Sequence, residues 1–126
     1  KHKSPENKIS LIEALRLFFR SQKWDVFIEA ARALIGNKKH LSETYFMVGL
    51  AERRGFCGPL AVVNLTIQEA FESAVENGLG EIKQYGYSRH LIESVGESLR
   101  FLERHSEAME FLQVCVKKEP NIAVSY

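Results

Sequence analysis

Residues Arg89–Pro120, RHLIESVGESLRFLERHSEAMEFLQVCVKKEP, carry the pattern from which the fold can be read. Apolar or small side chains return at Ile92, Val95, Gly96 and Leu99, then at Ala108, Leu112 and Cys115. Steps of three and four place each set along one stripe of a helix. Only a very short turn fits between the sets, near Arg104, and Pro120 cannot continue a helix. The spacing therefore predicts helices over 89–103 and 105–118, folded back on each other as an antiparallel pair. Gly96 and Ala108 are small where such a pair crosses, and a bulky residue at either place would push the axes apart.

The same phase extends upstream. Tyr45, Val48 and Gly49, then Phe71 and Ala74, predict helices over 41–54 and 61–77, the second closed by Asn77-Gly78. Gly80 to Ser88, with two tyrosines and Gly86, reads as an irregular connector. Further back, Ile9, Ile12, Leu15, Phe18 and Phe19 precede Trp24, Phe27, Ala31 and Leu34. They predict a first pair over 8–41, with Ser4-Pro5-Glu6 as a helix start and Gly36-Asn37 as a helix end. No alternating run is long enough for a sheet; Leu60–Val63 reads as the first turn of a helix or as buried loop. The expected fold class is all-α, antiparallel helix pairs stacked as a short right-handed superhelix, an α-solenoid. Residues 1–7 read as a flexible lead-in, the pairs occupy 8–41, 42–81 and 89–122, and 123–126 start a further repeat or cap the array.

The last pair, with Ile92-x-x-Val95-Gly96-x-x-Leu99, Ala108, Leu112, Cys115 and Pro120, resembles a tetratricopeptide (TPR) repeat. The middle pair resembles it through Tyr45-x-x-Val48-Gly49 and Phe71-x-x-Ala74; the first pair keeps the phase without the glycine or the proline. The resemblance covers about nine-tenths of the chain by the repeat spacing. It implies a non-enzymatic protein–protein interaction module that holds a peptide or partner helix on a concave face lined by the first helix of each pair. The residues expected on that face are Ile12, Arg16 and Phe19, then Phe46, Leu50 and Arg53, then Glu93, Glu97 and Arg100. Related domains that clamp a C-terminal carboxylate present Lys and Asn, whereas the corresponding places here hold Ile12, Arg16, Met47, His90 and Ser94. That clamp is not expected.

Residues 53–59, RRGFCGP, invite a chemical reading because a cysteine lies between glycines after two arginines. Aligned with the last pair, however, this stretch falls in an insertion at 55–60 between two helices. Gly55, Gly58 and Pro59 suit a chain that leaves one helix and wanders before the next, and the stretch also resembles the glycine-rich turns of Sel1-like repeats. Nucleophilic catalysis by Cys57 needs a partner base, and His2, His40, His90 and His105 show no spacing that supplies one. Glu93 and Glu97, four apart on one helix face, read as solvated carboxylates rather than an acid pair. No catalytic residue, metal site or cofactor is expected.

Composition narrows the remaining classes. The 126 residues carry 17 basic and 16 acidic side chains for a net charge of +1. That balance gives nucleic-acid binding no phosphate-neutralising excess, and Glu93 and Glu97 interrupt any basic stripe. No apolar run approaches the roughly 20 residues of a membrane span, so no membrane insertion is expected. Two cysteines without ligand spacing and no signal-peptide pattern lead to the expectation of a reduced, cytoplasmic protein. The sequon Asn64-Leu65-Thr66 is expected inside a helix and silent. An alternative role, as an oligomerisation or structural element of a larger regulatory protein, rests on self-association through an exposed C-terminal edge.

Overall fold

Helix α1, Leu11–Arg20, starts where Ser10 and Glu13 cap each other. The Ser10 hydroxyl accepts from the Glu13 amide at 3.3 Å and the Ser10 amide donates to Glu13 Oε1 at 3.0 Å, so two amides that a helix start leaves orphaned are satisfied. The computed structural model describes residues 9–55 and 64–123, and their regular structure is entirely helical. After α1 come α2, Trp24–Gly36; α3, Leu41–Arg53; α4, Ile67–Tyr85; α5, Arg89–Phe101; α6, His105–Lys118; and a single turn, α7, Pro120–Ala123. Ser4-Pro5-Glu6 and Leu60–Val63 lie outside the described residues. Ile9 and Ser10 precede the helix, so the start of α1 is Ser10 and the helix does not run back from there.

The fourth helix departs most from the sequence reading. It is capped by Thr66 with Glu69, in the same reciprocal manner as α1, and runs to Tyr85. Asn77-Gly78 therefore stands mid-helix and ends nothing. Asn77 Nδ2 donates back to the Ser73 carbonyl at 2.8 Å. Gly78 is buried against α5 and α3: a Cβ there would lie 2.6 Å from Ser42 Oγ and overlap Val95 Cγ2 more severely still. The glycine serves a helix crossing. The true stop is Gly86, at φ 96, and the predicted connector shrinks to Gly86–Ser88. Asn64, at φ 57, sits on an exposed turn before α4, so the sequon is not helical.

Three helix ends share one device without glycine. Lys23, Lys39 and Arg104 donate their amides to the carbonyls of Phe18, Leu34 and Leu99, five residues back. In each case the preceding residue, Gln22, Lys38 or Glu103, takes the left-handed conformation. That bonding satisfies a carbonyl the helix end orphans and reverses the chain within three or four residues. Gly36 is accordingly the last helical residue of α2, and Lys38 makes the turn expected of Gly36-Asn37.

Packing follows chain order. Ile12 and Leu15 of α1 join Phe27, Ala31 and Leu34 of α2 and Val48 of α3 in one buried cluster. Phe46, Phe71 and Ala74 form the next, then Val75, Val95, Leu99 and Ala108, then Ile92 and Cys115 with Ile122 packed alongside. Gly49 permits the tight crossing of α3 and α4, since a Cβ there would lie 3.0 Å from the Phe71 ring. Gly96 is looser, its nearest neighbour being Leu112 at an ordinary 3.5 Å. Between α3 and α5, where Ser42 and Ser94 are fully buried, Ser42 Oγ bonds the Ala74 carbonyl at 2.6 Å and Ser94 Oγ at 2.8 Å. Small hydroxyls are accommodated there because each finds a partner.

Candidate functional site

Helices α1, α3 and α5 adjoin in turn. Helix α1 approaches α3 and α3 approaches α5, while no comparable approach joins α2 to α4 or α4 to α6. Arg16 of α1 spans the first of these seams. Its Nε donates to Glu43 Oε2 at 2.5 Å and its Nη2 to Oε1 at 2.8 Å, a two-pronged pair. The carboxylate holds the Arg16 guanidinium above its ordinary pKa, through the hydrogen bonds first and against the opposing effect of burial. On the other side, His90 Nδ1 of α5 lies 3.4 Å from the same Glu43 Oε2. One buried carboxylate in the first turn of α3, where the helix dipole favours it, thus gathers side chains from two other helices.

Aromatic rings and arginines occupy the opposite end of these helices. Phe19 packs against Trp24 and Phe27 with ring centroids 6.0 and 5.8 Å away. Phe71 lies between Phe46, at 6.2 Å, and Phe101, stacked at 5.1 Å. The guanidinium of Arg53 stands over Phe101 at 4.6 Å, that of Arg54 over Phe19 at 5.2 Å, and that of Arg100 over Phe101 at 5.1 Å. A shallow groove of about 380 Å³ beside them is lined by Arg53, Ile67, Phe71, Phe101, Leu102 and their polar neighbours.

The nine residues expected on the face divide by exposure. Ile12 and Phe46 are core, at 5% and 6% exposure, and cannot touch a partner directly. Phe19 and Leu50 are half-buried in the aromatic clusters. Arg16 is engaged by Glu43, and Arg100 pairs with Glu97 on its own helix. Arg53 and Glu93 are exposed. Sequence reading missed Glu43, Arg54 and Phe101. No spacing could reveal Glu43, which meets Arg16 across 27 residues of chain. Arg54 and Phe101 were visible only as a loop start and a helix end.

Chemistry elsewhere is sparse. Cys115 is buried and its thiol is pushed up by burial, away from nucleophilic use; Cys57 lies outside the described residues. Among the described residues no three His, Cys, Asp or Glu side chains gather as a metal set, and no helix is long and apolar enough to cross a membrane. Helix α6 exposes Met109, Val114 and Val116 on the C-terminal edge. The chain matches no family model, no curated protein and no solved structure.

Proposed function

We propose that this chain is a non-enzymatic interaction module that takes up a peptide or partner helix on the face shared by α1, α3 and α5. The reading follows the tetratricopeptide-like spacing and treats the pairs as stacked into a short curved array. One observation carries it: α1 approaches α3 and α3 approaches α5, whereas no comparable approach joins α2 to α4 or α4 to α6. Helices closely spaced on one side and splayed on the other bend a stack toward the close side, which makes the first-helix face the concave one. That face offers half-buried Leu50 and Phe19 beside exposed Arg53 and Glu93, an apolar floor with charges on its rim. Such a mixture suits an extended or helical segment with apolar anchors and flanking charge.

A photo-crosslinking residue placed singly at Leu50, Glu93, Glu29 or Glu76 tests the assignment. The same discrete partner should crosslink from positions 50 and 93, on different helices of one face. It should not crosslink from 29 and 76, exposed on the second helices. Crosslinks confined to 29 and 76, or none at all, would remove the reading.

A further inference from the structure

We infer that Arg53 and Arg54 are a paired docking point for the side-chain carboxylates of an acidic protein segment, which assigns a charge class to the partner of the first-helix face and rests on that reading. Of the other arginines on or just after these helices, Arg16 donates to Glu43, Arg100 to Glu97 and Arg104 to Glu107, while Arg20 and Arg89 have no carboxylate among the described residues but stand over no ring that would fix them. Arg53 and Arg54 are both exposed, and among the described residues no carboxylate stands within ion-pair distance of either. The chain between Gly55 and Asn64 contains no Asp or Glu to supply one. Their neighbour Glu52 turns Oε1 into the interior, where it meets no partner among the described residues.

Ring contacts hold both guanidinium groups in place. Arg53 stands over Phe101 of α5 and Arg54 over Phe19 of α1, so two neighbours in sequence are drawn toward opposite flanks of α3. A guanidinium lying over a ring leaves N–H donors at its edge unused, and those donors match a carboxylate two at a time. Cations in the last turn of α3 also complement the negative end of its dipole, but that role leaves the edge donors unengaged. The adjoining groove, with Ile67, Phe71, Phe101 and Leu102, accepts an apolar residue next to the acid. A net charge of +1 over the chain supplies no extended basic stripe to track a phosphate backbone, and the apolar groove beside the two arginines suits a side chain, which favours protein over nucleic acid.

Fluorescence anisotropy with the whole chain tests this. The probes are the labelled hexapeptide Glu-Glu-Leu-Glu-Glu-Phe, its Gln-for-Glu and Lys-for-Glu counterparts, and a short oligouridine. The Glu peptide should bind at least about tenfold more tightly than the other two peptides and weaken as salt rises. Joint Arg53→Gln and Arg54→Gln substitution should remove about tenfold of that affinity with helical content unchanged, whereas Lys118→Gln should not. If the Gln pair fails to fold, Arg53→Lys with Arg54→Lys decides, since it keeps charge but loses the two-pronged fork and should bind measurably less well. Equal binding of the Gln and Glu peptides overturns the docking point while leaving peptide uptake standing. Binding of no peptide overturns both, and preference for the oligouridine overturns it in favour of nucleic acid.

Discussion

Gly78 and Gly80 are two residues apart on α4 and make opposite demands. At Gly78 a methyl would overlap Val95, whose branched side chain has little rotamer freedom, and would press on a serine already committed to two hydrogen bonds. At Gly80 nothing lies within 4 Å. Alanine gains about 1 kcal/mol over glycine inside a helix, and overpacking a tight crossing costs about 1–3 kcal/mol. The balance differs in sign between the sites. Gly78→Ala should lower stability by up to about 2 kcal/mol, and Gly80→Ala should raise it by up to about 1 kcal/mol, read from urea midpoints at constant slope. If both variants moved in the same direction, the crossing would not be where the structure has it. The pair also shows where one-dimensional reading fails. Asn-Gly is a sound stop signal, yet a glycine that admits a neighbouring helix looks identical in sequence. The neighbour here is Val95, contributed by a different pair.

Elements are legible to the degree that their signals are local. The two capping boxes, Ser10 with Glu13 and Thr66 with Glu69, are Ser/Thr-x-x-Glu patterns available in the sequence, and each sets a helix start more sharply than hydrophobic spacing does. Helix α3 has no such signal. Its N-cap residue, His40, is left-handed and gives no side-chain bond, so the Leu41 amide turns to a carboxylate from another helix, Glu81 Oε2 at 2.9 Å. Glu81 was expected at the edge of a connector, which hid this role. Glu81→Ala should cost about 1 kcal/mol, the usual loss of a cap. Burial raises the Glu81 carboxyl above its ordinary 4.5, and the Leu41 and Ser42 amides pull it only part of the way back. A raised folded-state value means the stability tied to that proton is complete below the unfolded-state value and is lost as pH rises through the folded one. Wild type should therefore lose ground to Glu81→Gln as pH climbs through and above the ordinary carboxyl value of 4.5. Urea unfolding of both proteins across that window checks it, and a widening wild-type advantage would reverse the sign.

At the scale of the molecule, the all-helical class was written in the 3.6-residue phase, because every pair repeats it. The seams between pairs were not, because they depend on which side chains meet across large sequence separations. Ile12 and Phe46 illustrate the cost: both were read as facing a partner, and both are consumed by packing between helices. The Arg16–Glu43–His90 cluster is the counterpart, a polar contact that ties α1 to α3 and α3 to α5. A polar contact that joins helices distant in sequence bears directly on whether they unfold together. Arg16→Met would leave the buried Glu43 carboxylate with His90 alone, at a cost of about 2 kcal/mol, as for a buried acceptor stripped of its donor. Glu43→Gln should cost less, and the double variant should fall short of the sum by about 1 kcal/mol, because the partners are lost as a unit. Hydrogen exchange in Arg16→Met should accelerate in α1 and α2 well before α5 and α6, since the loss falls on the seam that joins α1 to α3. Strict additivity of the two substitutions, or uniform acceleration across all helices, would mean that the ion pair contributes nothing and that hydrophobic contact alone couples the helices.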